Sequence, residues 1–272
     1  MCVDVSYQME REIKYARHVG VPEEEIAIME SRLKRYQGGL EYTPKTDHIS
    51  AFTHDEIPIV TGNQPRILHY FEIGLVPNWV KDASKADKLR KGTINARSET
   101  IFELPSFKES IRQRRCLITL DGFFEHHHLN KSKRIPFYIW RTDSEPIVMD
   151  GIYDFAVLDN MHVKSVAIVT TKVNDFMAKI HNKDEVHEPH EIPDPRMPVI
   201  LEKEDFEKWL SGDDYATLMK PLPDGKLRGH TVEKLRTKYE IISHPEITTK
   251  FFYPDLPKGV DSIGTNKQLG LF

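Results

Sequence analysis

Cysteine is nearly absent: Cys2 and Cys116 are the only two in 272 residues. A disulfide framework cannot be built from them, and a reducing cytoplasm is the simplest home for such a chain. No apolar run approaches the ~18 residues that a membrane-crossing helix needs. The N-terminal stretch also lacks the apolar region of a secretory signal. Neither sign of charge is in excess, with 38 Lys and Arg against 42 Asp and Glu and a formal net charge of -4. Any nucleic-acid surface must therefore be local. Repeats and low-complexity tracts are missing as well. What remains is a chain long enough to bury a sizeable core.

Residues 6–37 read as two short helices. Met9, Ile13, Ala16 and Val19 recur near helical spacing in the first. Pro22 opens the second, followed by Glu23, Glu24 and Glu25 at the positive end of its dipole. Ile26, Met29, Leu33 and Tyr36 form its apolar stripe, and Gly38-Gly39 stops it. From residue 50 the texture changes to short strands, expected over 57–60, 67–71, 115–120, 137–141, 147–151, 165–170 and 197–201. Helical pieces are expected near 105–112, 173–180 and 203–210. Many strands with few alternating helices predict an α+β protein built on a curved, barrel-like antiparallel sheet. Beyond about residue 240 the chain turns Pro-rich and irregular. We therefore expect one domain over 1–240 and a C-terminal tail over 241–272.

Three stretches are rich in side chains that suit a site better than a core. One is Gly92-Thr93-Ile94-Asn95-Ala96-Arg97-Ser98-Glu99-Thr100. Another is Arg115-Cys116-Leu117 running on to Gly122-Phe123-Phe124-Glu125, where a Gly turn would set Glu125 among aromatic rings and raise its pKa. The last is Ile180-His181, with Arg196-Met197-Pro198-Val199-Ile200-Leu201 beyond it. Each has a plainer reading. Asn95 caps a turn, Glu125 ends a strand, His181 sits at a helix end, and Cys116 is core. His126-His127-His128 alternate faces on an extended segment, so at most two converge, and no metal or other cofactor is expected.

Cys2 changes the balance. It is small enough for an aminopeptidase to remove Met1, and an N-terminal Cys carries a free amine and a thiol. The two can close on an aldehyde as a thiazolidine ring. Both groups are mostly protonated at neutral pH, so they need a neighbouring base and acid.

Cys2, Asn-Ala-Arg-Ser-Glu-Thr at 95–100, Arg-Cys-Leu then Gly-Phe-Phe-Glu at 115–125, and Arg-Met-Pro-Val-Ile-Leu at 196–201 together resemble the SRAP family. These are the SOS-response-associated, abasic-site-processing proteins. Gly74-Leu75-Val76-Pro77-Asn78-Trp79 resembles a further family segment. The resemblance implies covalent capture of abasic sites in single-stranded DNA by Cys2, with thiol (auto)peptidase and abasic-site lyase activities as accompaniments. It assigns Asn95 to orienting the Cys2 amine and the sugar, Glu125 to proton transfer, His181 to Schiff-base chemistry and Arg97 to phosphate. Two alternatives stay open: a non-covalent reader of modified or damaged bases, and a Cys2-dependent autopeptidase or amidohydrolase.

The chain departs from the family in places. Val3-Asp4 stands where Gly-Arg is usual, Ile73 replaces a Trp, and His126 replaces another. Residues 182–195, read as an acidic surface loop, separate His181 from Arg196. His190 and His187 are therefore the alternative functional histidines. Arg112, Arg114, Lys131, Lys133 and Arg134 are expected to join Arg97 in a basic groove. Gln268, Leu269, Leu271 and Phe272 resemble a bacterial sliding-clamp-binding peptide on a flexible tether. We expect a monomer working in the cytoplasm at the nucleoid.

Overall fold

The computed structural model describes residues 4–6, 12–37, 47–187, 194–212, 214–257 and 259–264. Cys2, Met9, Gly38-Gly39, His190 and the 268–272 peptide lie outside the described residues, as do the side chains of Leu33 and Tyr36.

In chain order the strands are β1 (Asp4–Ser6), β2 (Ile49–Ser50), β3 (Glu56–Thr61), β4 (Gln64–Ile73), β5 (Asn95–Arg97), β6 (Arg115–Leu120), β7 (Gly122–His128), β8 (Arg134–Arg141), β9 (Ile147–Leu158), β10 (Met161–Lys172), β11 (Arg196–Pro198), β12 (Leu227–Thr231) and β13 (Ser262–Ile263). The helices are α1 (Glu12–Val19), α2 (Glu23–Gln37), α3 (Ala83–Arg90), α4 (Lys108–Gln113), α5 (Asp175–Ile180), α6 (Lys183–Val186) and α7 (Phe206–Ser211).

β10, β4, β3, β6 and β9 pair in that order, and β9 pairs back onto β10, which closes a five-stranded barrel. Closure removes the exposed edges that an open sheet would present. The expected α+β, barrel-like fold is borne out, with one refinement. The sheet is mixed, because β4 runs parallel to β10, as does β5. β10 can close the ring only by pairing along both of its edges.

β6 and the buried parts of β9 and β10 read as near-continuous apolar runs because both of their faces are covered there. Ile57, Ile59, Cys116, Ile118 and Ile168 pack towards the second sheet. Val60, Leu117, Val148, Ile152 and Val169 pack with Phe107, Ile111, Phe206 and Trp209 from the α4 and α7 regions. That second sheet is antiparallel throughout, in the order β13-β12-β8-β7-β1-β2.

Two sequence expectations need correction. Ser6 was placed at the start of a helix but ends β1, a strand of three residues and too short to show a period. Glu125 was placed after a turn but lies in the middle of β7, opposite Phe137 of β8. Beyond residue 240, Ile247 and Leu256 are buried, and β13 pairs with β12.

Candidate active site

α5 begins where the Asn174 side chain accepts the Met177 N–H at 2.8 Å, a standard N-cap. The helix ends by delivering His181, whose own N–H reaches the Met177 carbonyl at 2.7 Å. His181 is fully buried. Its Nδ1 lies 2.9 Å from the Arg196 carbonyl oxygen and 3.4 Å from Oε2 of Glu125. Both oxygens accept, and the Arg196 N–H that also faces Nδ1 is farther from it than the carbonyl, at 3.3 Å, so the ring proton is assigned to Nδ1. Nε2 is then left with its lone pair, buried and without a hydrogen-bond partner among the described residues. Burial outweighs the raising effect of Glu125 and holds the His181 pKa down at about 4.

Glu125 is buried too, and its Oε1 accepts the His126 N–H at 3.0 Å. A raised pKa was expected here, and the structure overturns that. Burial does push the carboxyl up, but the positive charge around it, His181 and His126 included, outweighs burial and holds it at about 2. The sequence showed the aromatic rings beside Glu125 and not the imidazole brought to it from 56 residues away. At neutral pH the pair is a carboxylate beside a neutral imidazole: two bases, one of which also carries a donor.

β5 carries Asn95 and Arg97 alongside β10, with Asn95 opposite Ile168 and Arg97 opposite Thr170. Asn95 Oδ1 is buried with no hydrogen-bond partner among the described residues. Arg196 joins these strands to His181. Its guanidinium grips Glu99 with two bonds of 3.1 and 2.6 Å and meets the Thr170 hydroxyl and carbonyl oxygens at 3.3 and 2.8 Å.

The start of the 182–195 segment is not a plain surface loop. Asn182 is buried, accepts the His128 N–H at 2.8 Å and donates back to the His128 carbonyl at 3.2 Å. His187 Nε2 stands 3.1 Å from His128 Nδ1. So His181 meets Glu125, while His187 meets His128. His127 takes a third partner, the Lys179 carbonyl at 3.1 Å. Burial, with the nearby cations adding to it, lowers the His128 pKa to about 4.

Sequence reasoning missed Lys183. Burial lowers its pKa first, Glu125 raises it, and Arg134 and Arg97 lower it further, so these four charges share one neighbourhood. Its only sequence signal was a Lys two residues after His181. Arg97, Lys131 and Arg134 are exposed. Lys133 is paired with Asp255. The structure does not bring Arg112 and Arg114 to this cluster. They lie at the α4–β6 junction, where Arg114 Nε is 3.2 Å from Asp154.

The strand register completes the geometry. Asp4 lies opposite Phe124, the neighbour of Glu125, and β1 runs antiparallel to β7.

A family model described as SOS response associated peptidase (SRAP) matches residues 8–238. The chain belongs to the SRAP family. Among SRAP relatives, it is similar to the abasic site processing protein YoaM of Bacillus subtilis, 31% identical over 205 residues covering 72% of this chain and 83% of that one. It is 32% identical to YoqW of the same organism over 168 residues, 60% of this chain and 67% of that protein. Similarity to the abasic site processing protein HMCES of Rattus norvegicus is 28% over 180 residues, 56% of this chain and 47% of that longer one. A solved structure from Bacteroides thetaiotaomicron superposes with a TM-score of 0.72 at 28% identity, covering 92% of this chain and all of that one. One from Bordetella bronchiseptica, at a TM-score of 0.66 and 19% identity, shares the fold.

Proposed function

We propose that this chain captures abasic sites in single-stranded DNA by a covalent link to Cys2. The names of its SRAP relatives supply the substrate class. The observation that carries the chemistry is the β1 register beside a buried carboxylate–imidazole pair. Asp4 lies opposite the neighbour of Glu125, and the two residues before it can span at most ~7 Å. That short reach allows the Cys2 amine and thiol to approach Glu125 in the proposed reaction.

The reaction balances as a condensation. The amine adds to the aldehyde carbon of the ring-opened sugar, and loss of one water gives a Schiff base. The thiol sulfur then adds to that carbon, its proton passes to the imine nitrogen, and the thiazolidine ring is closed. With its pKa held at about 2, Glu125 enters as a base. It takes a proton from the ammonium, then returns one as the hydroxyl leaves as water. His181, with Nε2 unpartnered, is suited to accept the thiol proton. The open Asn95 Oδ1 suits an N–H of the amine or a sugar hydroxyl. Arg97, Arg134 and Lys183 would hold phosphates on either side of the lesion.

Denaturing gel electrophoresis after mixing with an abasic oligonucleotide tests this reading. A band shifted by the mass of the DNA is expected. Retained affinity with no shifted band would instead mean a non-covalent reader. Intact mass should show loss of Met1, since capture requires Cys2 to be N-terminal.

A further inference from the structure

The structure gives Asp4 unusual company. The residue is fully buried at the start of β1, opposite Phe124 on one side and Ser50 on the other. Arg236 donates to both of its carboxylate oxygens. His48 Nε2 lies 3.0 Å from Oδ1, while His48 Nδ1 lies 2.7 Å from the Ile242 carbonyl oxygen. The backbone N–H of His48 donates to the Ser243 hydroxyl at 3.2 Å. The same imidazole sits edge-on to Phe124, with ring centroids 5.2 Å apart. Two distant segments thus converge on one carboxylate two residues after Cys2, and a third holds the imidazole.

We propose that Asp4, His48 and Arg236 are positioning residues that lock the register of β1 and so fix the approach of Cys2 to Glu125. The inference rests on the capture reading above. A three-residue strand at a chain end has little to resist fraying or slipping. A slip of one residue moves the chain by ~3.3 Å and turns every side chain to the other face of the sheet. For β1 that slip would strip the buried Asp4 carboxylate of Arg236, whose side chain is about one-third exposed, and of His48, and an unpaired buried carboxylate is strongly disfavoured in folded proteins. The lock is therefore electrostatic where the strand is too short to be locked by its ladder. The charge two residues from the nucleophile serves geometry, and Asp4 itself touches neither DNA nor the reacting atoms.

The test uses the full chain with two oligonucleotides, one carrying an abasic site and one carrying its aldehyde-free tetrahydrofuran analogue. Asp4→Asn should lower the crosslinking rate at saturating DNA by about 100-fold, the scale of a 1 Å misplacement, with affinity for the analogue unchanged. Arg236→Met should behave alike, and Arg236→Lys should recover most of the rate. Amide hydrogen exchange at Val5, which does not depend on the chemistry, should speed up in Asp4→Asn. His48→Gln repeats the test if Asp4→Asn does not fold. A wild-type rate in these variants, an equal fall in rate and affinity, or unchanged exchange at Val5 each overturns the lock. If the wild type forms no adduct while Asp4→Asn speeds exchange at Val5, the capture reading falls and the register lock stands. If exchange at Val5 is also unchanged, both fall.

Discussion

In the proposed capture reaction, the roles of Glu125 and His181 follow from which proton each group holds at neutral pH. Glu125→Gln keeps shape and burial but removes the base. Crosslinking should slow by ~10²–10⁴-fold, as loss of a positioned general base typically does, measured as single-turnover rate against pH. Cys2→Ala should form no adduct in the same assay, and Cys2→Ser should form only a labile Schiff base. His181 also links pH to stability. Its folded pKa of about 4 lies below the unfolded value near 6.5, so acid favours the unfolded chain. The stability is complete above ~6.5 and is lost as pH falls towards 4. His128, also held at about 4, acts in the same direction. Glu125 contributes stability above its ordinary range that is lost only as pH falls through about 2. The melting temperature should drop between pH 6.5 and 4, and less steeply in His181→Gln.

Among the elements, β7 bears the greatest constraint, since it presents Glu125 and pairs with both β1 and β8. Gly122 opens it with no room for a side chain. An added Cβ would meet the Ile139 carbonyl oxygen and lie 2.6 Å from a Tyr138 ring carbon. Gly122→Ala should cost ~1–3 kcal/mol or more by overpacking, read as a shift in the denaturant midpoint. Arg196 of β11 ties β10 and Glu99, just after β5, into one block behind His181. Lysine cannot reproduce its forked contacts with Glu99 and Thr170. Arg196→Lys should therefore lower the melting temperature and disturb capture together.

For the molecule as a whole, a net charge of -4 means that DNA must be met by a local field. If Arg97, Arg134 and Lys183 each neutralise one phosphate, log K for single-stranded DNA should fall with log salt at a slope of about -2. Arg97→Ala should reduce that slope by about 0.7, whereas Arg114→Ala, already paired with Asp154, should leave it unchanged. Salt-independent binding would remove the groove from the account. We also propose that residues 268–272 dock on a sliding clamp, a reading carried by their sequence pattern alone. A peptide of residues 264–272 should bind a bacterial clamp in the micromolar range by fluorescence anisotropy. The double change Leu271→Ala, Phe272→Ala should abolish that binding and leave crosslinking in solution intact.

The barrel strand at 115–120 was legible in the chain because six consecutive residues lie buried, and burial on both faces writes a continuous apolar run. The family was legible because Asn95, Glu125 and Arg196 sit in local motifs that survive without knowledge of the fold. Other features were invisible because they depend on distance through space. β1 is too short to carry a period. The barrel closes where Val166 meets Ile73, and nothing local in either strand names the other. Asp4 finds His48 44 residues away and Arg236 232 residues away, so a lone acidic residue after Val3 looked like a mere departure. The protonation of Glu125 was misread for the same reason. Neighbours in sequence announced an apolar setting, but a pKa answers to every charge within a few ångströms, and folding brought His181 from the end of α5 to join His126 beside the carboxyl.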